Sequence, residues 1–388
     1  MNIFSADIET LKQQDLYRRL RVVGSAATAH VSVEGRDLIN FASNDYLAMS
    51  SDPRLKKAAA EAVARWGAGA TASRLLGGTL SLHEQLERRL ADLKRTAACL
   101  VFPSGYHVNT GVLPVLADAG DVLFLDRYSH ASLVDGARLS KAELRVFKHN
   151  DPSDLGRCLK RAGRYRRRWI VTESVFSMDG DRAPLREIGS LAARYGASVY
   201  VDEAHATGVW GGEGEGLVPS AGMNPESTVV MGTMSKALGG LGGFLCGSEG
   251  LKDWVVNRCR SFIYSTALSP VLVATALTAL EIVTQDPERR ERLFSLSDRL
   301  RHGLRGAGYE VMGDQGPIVP LLLGAERTAL RFSEQLFERD VWAPAVRFPT
   351  VPKGHSRIRF SVSAGHTDAD IDRVLDLLNS KRFHGETD

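Results

Sequence analysis

The strongest constraint on this chain is a series of short, continuous apolar runs between about residues 55 and 250: ACLVF, DVLFLD, RWIVTES, SVYVDEA, TVVMGT and GFLCG. They are rich in β-forming residues, bounded by Gly, Ser or Asp, and separated by helical segments such as LHEQLERRLADL. A strand that is apolar almost throughout must be covered on both faces. The pattern therefore predicts an α/β fold, with a mostly parallel sheet sandwiched by helices. In such sheets ligands lie at the carboxyl ends of the strands, and the polar motifs of this chain fall just after these runs.

On either side the pattern changes. Residues 5–22 carry Ile8, Leu11, Leu16 and Leu20 at helical spacing and predict an amphipathic helix. A short β region follows (HVSVEGRDLINFAS), then the polar turn Asn44-Asp45-Tyr46-Leu47. Residues 270–310 read as helical. Beyond them YEVMG, PIVPLLLG, a helix near 326–338, the strand RIRFSVS and a final helix DADIDRVLDLLNS predict a smaller α+β domain. The expected organisation is an N-terminal segment over 1–50, a large α/β domain over 51–285 and a small C-terminal domain over 286–388.

Composition narrows the function. With 49 basic and 46 acidic residues the net charge is +3, which gives no reason to expect nucleic acid or an anionic membrane as a partner. The polar N-terminus lacks the apolar core of a signal peptide, and no stretch reaches the roughly 20 apolar residues of a membrane span. Cys99, Cys158, Cys246 and Cys259 form no Cys-x-x-Cys pair, so neither a metal site nor a disulfide framework is expected. A cytoplasmic enzyme fits these features.

Five constellations could carry chemistry. In Met231-Gly-Thr-Met-Ser-Lys-Ala-Leu-Gly-Gly240 a strand runs into Thr233, Ser235 and Lys236 and then into glycines. A lysine beside glycines is usually an ordinary surface residue. Here it follows a buried strand, beside hydroxyls able to bind a phosphate and glycines that let backbone approach a flat cofactor. A lysine that forms a Schiff base must lose its proton, which partial burial and nearby positive charge favour. The Gly-x-x-x-x-Gly-Lys-Ser/Thr loop of a nucleotide-binding site is absent. In Val201-Asp-Glu-Ala-His205 the strand ends at Asp202, which either caps the next turn or pairs with a cation such as the protonated ring nitrogen of pyridoxal phosphate. His205 could bond that ring's 3-oxygen; zinc fails for want of further ligands. In Phe102-Pro-Ser-Gly-Tyr106 a strand gives way to a helix N-terminus, either a plain turn or an anion site. In Asp126-Arg-Tyr-Ser-His130, His130 is either a hydrogen-bonded structural histidine or a stacking partner for a flat ring. In Arg357-Ile-Arg359 alternation puts both arginines on one strand face, as a solvated face or as a bidentate carboxylate site.

Together the motifs NDYL, PSGY-x-x-N, SHAS, TESVFSMDGD, VDEAHATG, T-x-SKA-x-GG and YST resemble the α-oxoamine synthases, fold-type I enzymes that use pyridoxal phosphate. The resemblance runs over essentially the whole chain. It implies a seven-stranded, mostly parallel sheet and an active site built across a homodimer. Phe176-Ser-Met-Asp-Gly-Asp-Arg-Ala-Pro-Leu185, Tyr264-Ser-Thr266 and Thr350-Val-Pro-Lys-Gly354 resemble the branch that serves biotin biosynthesis, condensing a pimeloyl thioester with L-alanine and releasing CO2. Glu203, where several members of that branch carry Asp, also suits the aminolevulinate and sphingolipid branches.

Carried onto matching positions, the resemblance implies that Lys236 holds the cofactor, Asp202 pairs with its ring nitrogen and His205 with its phenolic oxygen. His130 stacks on the ring; Gly105 and Tyr106 present backbone; Ser177 and Thr233 complete the polar shell. Thr266 reaches a phosphate across the dimer interface, and Arg359 binds the amino-acid carboxylate. Asn44 and Thr350 lie along the substrate cleft, and Arg18, in a crowd with Arg19 and Arg21, faces the acyl group. The acyl carrier is coenzyme A or an acyl carrier protein. The alternatives are another branch using glycine and a different acyl thioester, an aminotransferase or lyase on the same fold, and a non-catalytic binding protein, which would be expected to lack Lys236 or Asp202.

Overall fold

The computed structural model describes residues 3–380, and the chain divides into two units. Residues 1–48, 178–181 and 291–388 form one; residues 49–177 and 182–290 form the other. In chain order the first unit opens with α1 (Ser5–Gln13), β1 (His30–Val33) and β2 (Arg36–Asn40). The second holds α2 (Pro53–Trp66), α3 (Ser81–Lys94), β3 (Ala98–Phe102), α4 (Gly105–Leu116), β4 (Val122–Asp126), α5 (Ala131–Leu139), β5 (Glu143–Phe147) and α6 (Pro152–Lys160). It continues through β6 (Arg168–Glu173), α7 (Leu185–Tyr195), β7 (Ser198–Asp202), β8 (Thr228–Thr233), β9 (Gly243–Gly247), α8 (Glu249–Arg258), α9 (Arg260–Ile263) and α10 (Pro270–Gln285). The chain then returns to the first unit with α11 (Glu288–Gly306), most of which lies there, β10 (Ile318–Gly324), α12 (Glu326–Phe337), β11 (Val341–Trp342), β12 (Ala345–Val346), β13 (Ser356–Ser361) and α13 (Asp368–Asn379).

The second unit is built on the expected seven-stranded sheet, in the order β3-β9-β8-β7-β6-β4-β5. β9 is antiparallel to both its neighbours and the other pairings are parallel. β3, β4, β8 and β9 are buried at every position, as continuous apolar runs covered on both faces require. Leu100, Leu123, Val171, Tyr200, Val229 and Leu245 from the sheet share one core with Val108, Val112 and Leu116 of α4. Because six of the seven strands, all but β9, run the same way and end on one edge, that edge collects Asp126, Glu173, Asp202 and Thr233.

In the first unit the Glu34-Gly35 turn closes the β1–β2 hairpin, both residues having positive φ, which suits a tight two-residue connection. β2 also pairs in parallel with β11, Val341 opposite Ile39, so the N-terminal segment shares a sheet with the C-terminal region instead of standing apart. The boundaries expected at 50 and 285 lie beside the breaks at 48/49 and 290/291. Asp179, in the short excursion 178–181, joins this unit through an ion pair with Arg357 at 2.7 Å.

Two expectations fail here. The helix expected over 5–22 ends at Gln13, since Asp15 has positive φ. Arg347 donates to the Asp15 and Tyr17 carbonyls at 2.7 and 2.8 Å, holding this backbone in a non-helical course. No residue of α1 is buried, so no apolar stripe is covered to extend it. YEVMG is no strand; it contributes one bridge, Val311 to Leu321.

Candidate active site

Three strand ends and two helix starts of the second unit line a cavity of about 230 Å³. Its lining includes Gly105, Tyr106, His130, Asp202, His205, Thr233 and Lys236, seven of the residues singled out by sequence. Ser177 is buried just beyond β6 but is not among the lining residues. Thr266 is exposed, bridged to Ser73 through backbone. Arg18, Asn44, Thr350 and Arg359 belong to the first unit.

Asp202 is 5% exposed, and both its oxygens are engaged. Oδ1 accepts from Ala204 N at 2.9 Å, and Oδ2 from Asn109 Nδ2 at 2.9 Å. Asn109 lies one helical turn into α4, and its Oδ1 accepts from Tyr200 at 2.8 Å. Burial, helped by the charge of Asp202, pushes the Tyr200 phenol well up, so it remains a donor. Glu173 sits beside Asp202 on the neighbouring strand and accepts from His130 N at 2.6 Å. Burial first, and the Asp202 charge second, hold its carboxyl well above the usual carboxylate range. One of two adjacent buried carboxyls thus tends to keep its proton.

His130 caps α5: Nδ1 accepts from Ser132 N at 3.2 Å and lies 2.7 Å from Ser132 Oγ. Desolvation lowers its pKa and the charge of Lys236 adds to this, against the opposite pull of Asp202 and Asp135. Although the ring is accessible from the open cavity, surrounding protein still displaces much of its water. Thr233 Oγ1 donates to the Gly242 carbonyl and meets Ser235 Oγ at 2.7 Å, setting small hydroxyls beside the start of α4. A Cβ on Gly243 would lie 2.6 Å from Gly105 N, so only glycine lets β9 begin this close to the α4 N-terminus.

In the first unit, Arg357 and Arg359 are both buried, at 2% and 6% exposure, and the solvated-face reading is excluded. Two further strands cover β13, β10 on one side and β12 on the other. Arg357 is taken by Asp179. Arg359 donates to Asn44 Oδ1 at 3.2 Å, to Tyr46 OH at 3.3 Å and to Ser361 Oγ. Among the N-terminal arginines, Arg21 pairs with Glu334 at 2.7 Å and packs on Phe337, and Arg19 lies over Tyr17. Arg18 is exposed.

The model of the aminotransferase class I and II family matches residues 36–378. The chain belongs to that family. It is similar to the 8-amino-7-oxononanoate synthase of Symbiobacterium thermophilum, 43% identical over 370 residues, covering 95% of this chain and 94% of that one. The protein of the same name from Anaeromyxobacter dehalogenans is 46% identical over 373 residues, 96% and 94% of the two chains. A solved serine palmitoyltransferase from S. paucimobilis, with pyridoxal phosphate and myriocin bound, superposes with a TM-score of 0.92 at 32% identity, covering 98% of each chain.

A pyridoxal phosphate enzyme of the aminotransferase family needs a lysine amine, a carboxylate for a ring nitrogen and a cradle for phosphate. The cavity fits on all three counts: Lys236, a fully hydrogen-bonded Asp202, and the α4 N-terminus beside Thr233 and Ser235. Sequence reading missed Glu173, Asn109 and Ser132 as site residues. All three lie inside quoted motifs (TES, PSGY-x-x-N, SHAS), which was the available signal.

Proposed function

We propose that the chain condenses a pimeloyl thioester with L-alanine, giving 8-amino-7-oxononanoate, CO2 and free thiol in biotin biosynthesis. Similarity to relatives of that name, at 41–46% identity over 95–97% of the chain, carries the reading. The cavity is compatible with it. When bound, pyridoxal phosphate supplies an electron sink for negative charge at the amino acid's α-carbon.

The chain's own residues divide the remaining work. Lys236 anchors the cofactor, and its Nζ, once released, takes the α-proton and later returns one. Asp202, held from both sides, keeps a proton on the ring nitrogen, and His205 bonds the phenolic oxygen. His130 covers the ring. Gly105, Tyr106 and Thr233 frame the phosphate, with Ser177 nearby. Thr266 reaches the phosphate of a partner subunit in a homodimer. Arg359 takes the alanine carboxylate, steadied by Asn44. Thr350 lines the acyl path. Arg18 is the N-terminal arginine that faces the acyl group, since Arg21 is committed to Glu334. No helix among the described residues is long and apolar enough to cross a membrane; the proposed reaction is a cytoplasmic one.

The test is thiol release from pimeloyl-coenzyme A by the purified protein, with the product identified by mass. Alanine-dependent release with product of the expected mass supports the reading. Release that prefers glycine or serine moves the chain to a neighbouring branch of the family. Transfer of the amino group to a 2-oxo acid without thiol release makes it an aminotransferase.

A further inference from the structure

The cavity is lined by a chain of hydrogen bonds whose directions are fixed from its two ends, the Asp202 carboxylate and the Ser132 backbone N–H. The Asp202 carboxylate can only accept, so the amide face that Asn109 turns to it must be Nδ2. The same Nδ2 lies 2.9 Å from Ser132 Oγ and donates to it. The Ser132 hydroxyl oxygen lies 2.7 Å from His130 Nδ1, and because Nδ1 already accepts the Ser132 backbone N–H, the hydroxyl is the donor of that contact. Nδ1 also receives the Ser132 backbone N–H, which can never accept. Two donors on Nδ1 leave the proton of the neutral ring on Nε2, and no protein group among the described residues is bonded to Nε2.

We infer that Ser132, oriented by Asn109, is a positioning residue that holds His130 as the neutral ring protonated at Nε2, making it a hydrogen-bond donor to the thioester carbonyl. The inference rests on the proposed reaction for its purpose, but its structural content does not. Any proton added to the ring must go to Nδ1, where it faces the fixed donor of the Ser132 backbone N–H and requires the Ser132 hydroxyl to turn its own proton away. The charged or ionisable groups facing His130 are Asp202, Lys236, Asp135 and Glu173. Asp135 shares α5 with Ser132, Glu173 and Asp202 end β6 and β7, and Lys236 follows β8; the Ser132 hydroxyl is linked to Asp202 through Asn109.

The experiment is nitrogen NMR on the full chain, labelled at histidine and loaded with pyridoxal phosphate, with His130→Asn used to assign the signal. At neutral pH the wild-type ring is expected to show Nδ1 in the unprotonated range and Nε2 in the protonated range. In Ser132→Ala the His130 titration is expected to move up by about one pH unit, since a hydrogen bond favouring the neutral ring is gone. The same variant is expected to lose about tenfold in kcat with the alanine KM nearly unchanged, and Ser132→Thr to restore both. A wild-type ring protonated at Nδ1 overturns the inference whether or not any variant folds. So does an unchanged His130 titration in a folded Ser132→Ala. Absence of thiol release with the expected tautomer present would instead sink the proposed reaction and leave the hydrogen-bond chain standing.

Discussion

His130 and His366 are held alike in two different regions. In each, Nδ1 accepts a backbone N–H, from Ser132 at 3.2 Å and from Ser363 at 3.0 Å. Desolvation lowers the pKa of both, that of His366 to about 4. They differ at Nε2. In His366 it donates to the Asn40 carbonyl at 3.1 Å while the ring stacks on Phe41. In His130 it has no protein partner among the described residues, and the residue lines a cavity. The first histidine has completed its hydrogen bonding within the fold; the second has a donor left over for a ligand. What separates a structural from a functional histidine here is not the sign of the pKa shift but exposure to a cavity together with one unassigned donor.

The largest test of this division lies beside His130. Lys236→Ala is expected to lower alanine-dependent thiol release by about a thousandfold or more, measured against unchanged thermal unfolding. An intact rate would remove the cavity from the chemistry altogether. Next comes the pair itself. His130→Asn keeps a good helix cap for Ser132 N and should cost about a hundredfold in kcat, with the melting point retained. His366→Ala leaves Ser363 N and the Asn40 carbonyl without partners in a packed core. It should cost about 3 kcal/mol in a denaturant titration, with kcat of the folded fraction unchanged. A stability loss at His130 with no rate effect would erase the contrast.

The arginines of β13 repeat the comparison one step weaker. Arg357→Met strands the Asp179 carboxylate in a buried setting and is expected to cost about 3 kcal/mol of stability. Arg359 has hydroxyl and amide partners from Ser361, Tyr46 and Asn44, with no carboxylate among those contacts. Arg359→Lys should therefore act on the alanine KM, raising it about tenfold through the lost bidentate fork, as steady-state kinetics would show. A stability loss at Arg359 with unchanged KM would return both arginines to the same structural role.

Local pattern carried a great deal of this. The all-apolar strands could only be central ones, and the motif residues at their ends meet in one cavity because a parallel sheet gathers its carboxyl ends. Pattern was weakest where burial is partial. β5 (ELRVF) is an edge strand with alternating polar residues and partly exposed positions, and it stood out in no apolar run. The N-terminal helix was overextended because Leu16 and Leu20 keep helical spacing although the backbone turns away at Asp15. The burial of Arg357 was invisible because its partner Asp179 lies far away in sequence. Asn109 and Ser132 were visible as letters of motifs, but the direction of a hydrogen bond depends on which atoms face each other, and that is a tertiary fact.

The acid dependence of stability sharpens the comparison most directly. His366 has its pKa lowered from 6.5 to about 4, so between these values the unfolded chain binds a proton that the folded chain refuses. Stability rises with pH wherever the unfolded state binds more protons. The contribution of His366 is therefore complete above about pH 6.5 and is lost progressively as the pH falls toward 4. At pH 5 the loss amounts to about 2 kcal/mol. Asp370, whose carboxyl is held below its usual range, adds its own loss only at lower pH. Denaturant titrations of wild type and His366→Ala from pH 7 to 5 separate these: the wild type should weaken by that amount relative to the variant. His130 titrates in the same direction, but in a ring already open to the cavity. His130→Asn should therefore move the acid limb of the rate profile and leave the slope of stability against pH nearly as it was. If instead His130→Asn flattens the stability slope and His366→Ala moves the rate profile, the two histidines have been assigned the wrong way round.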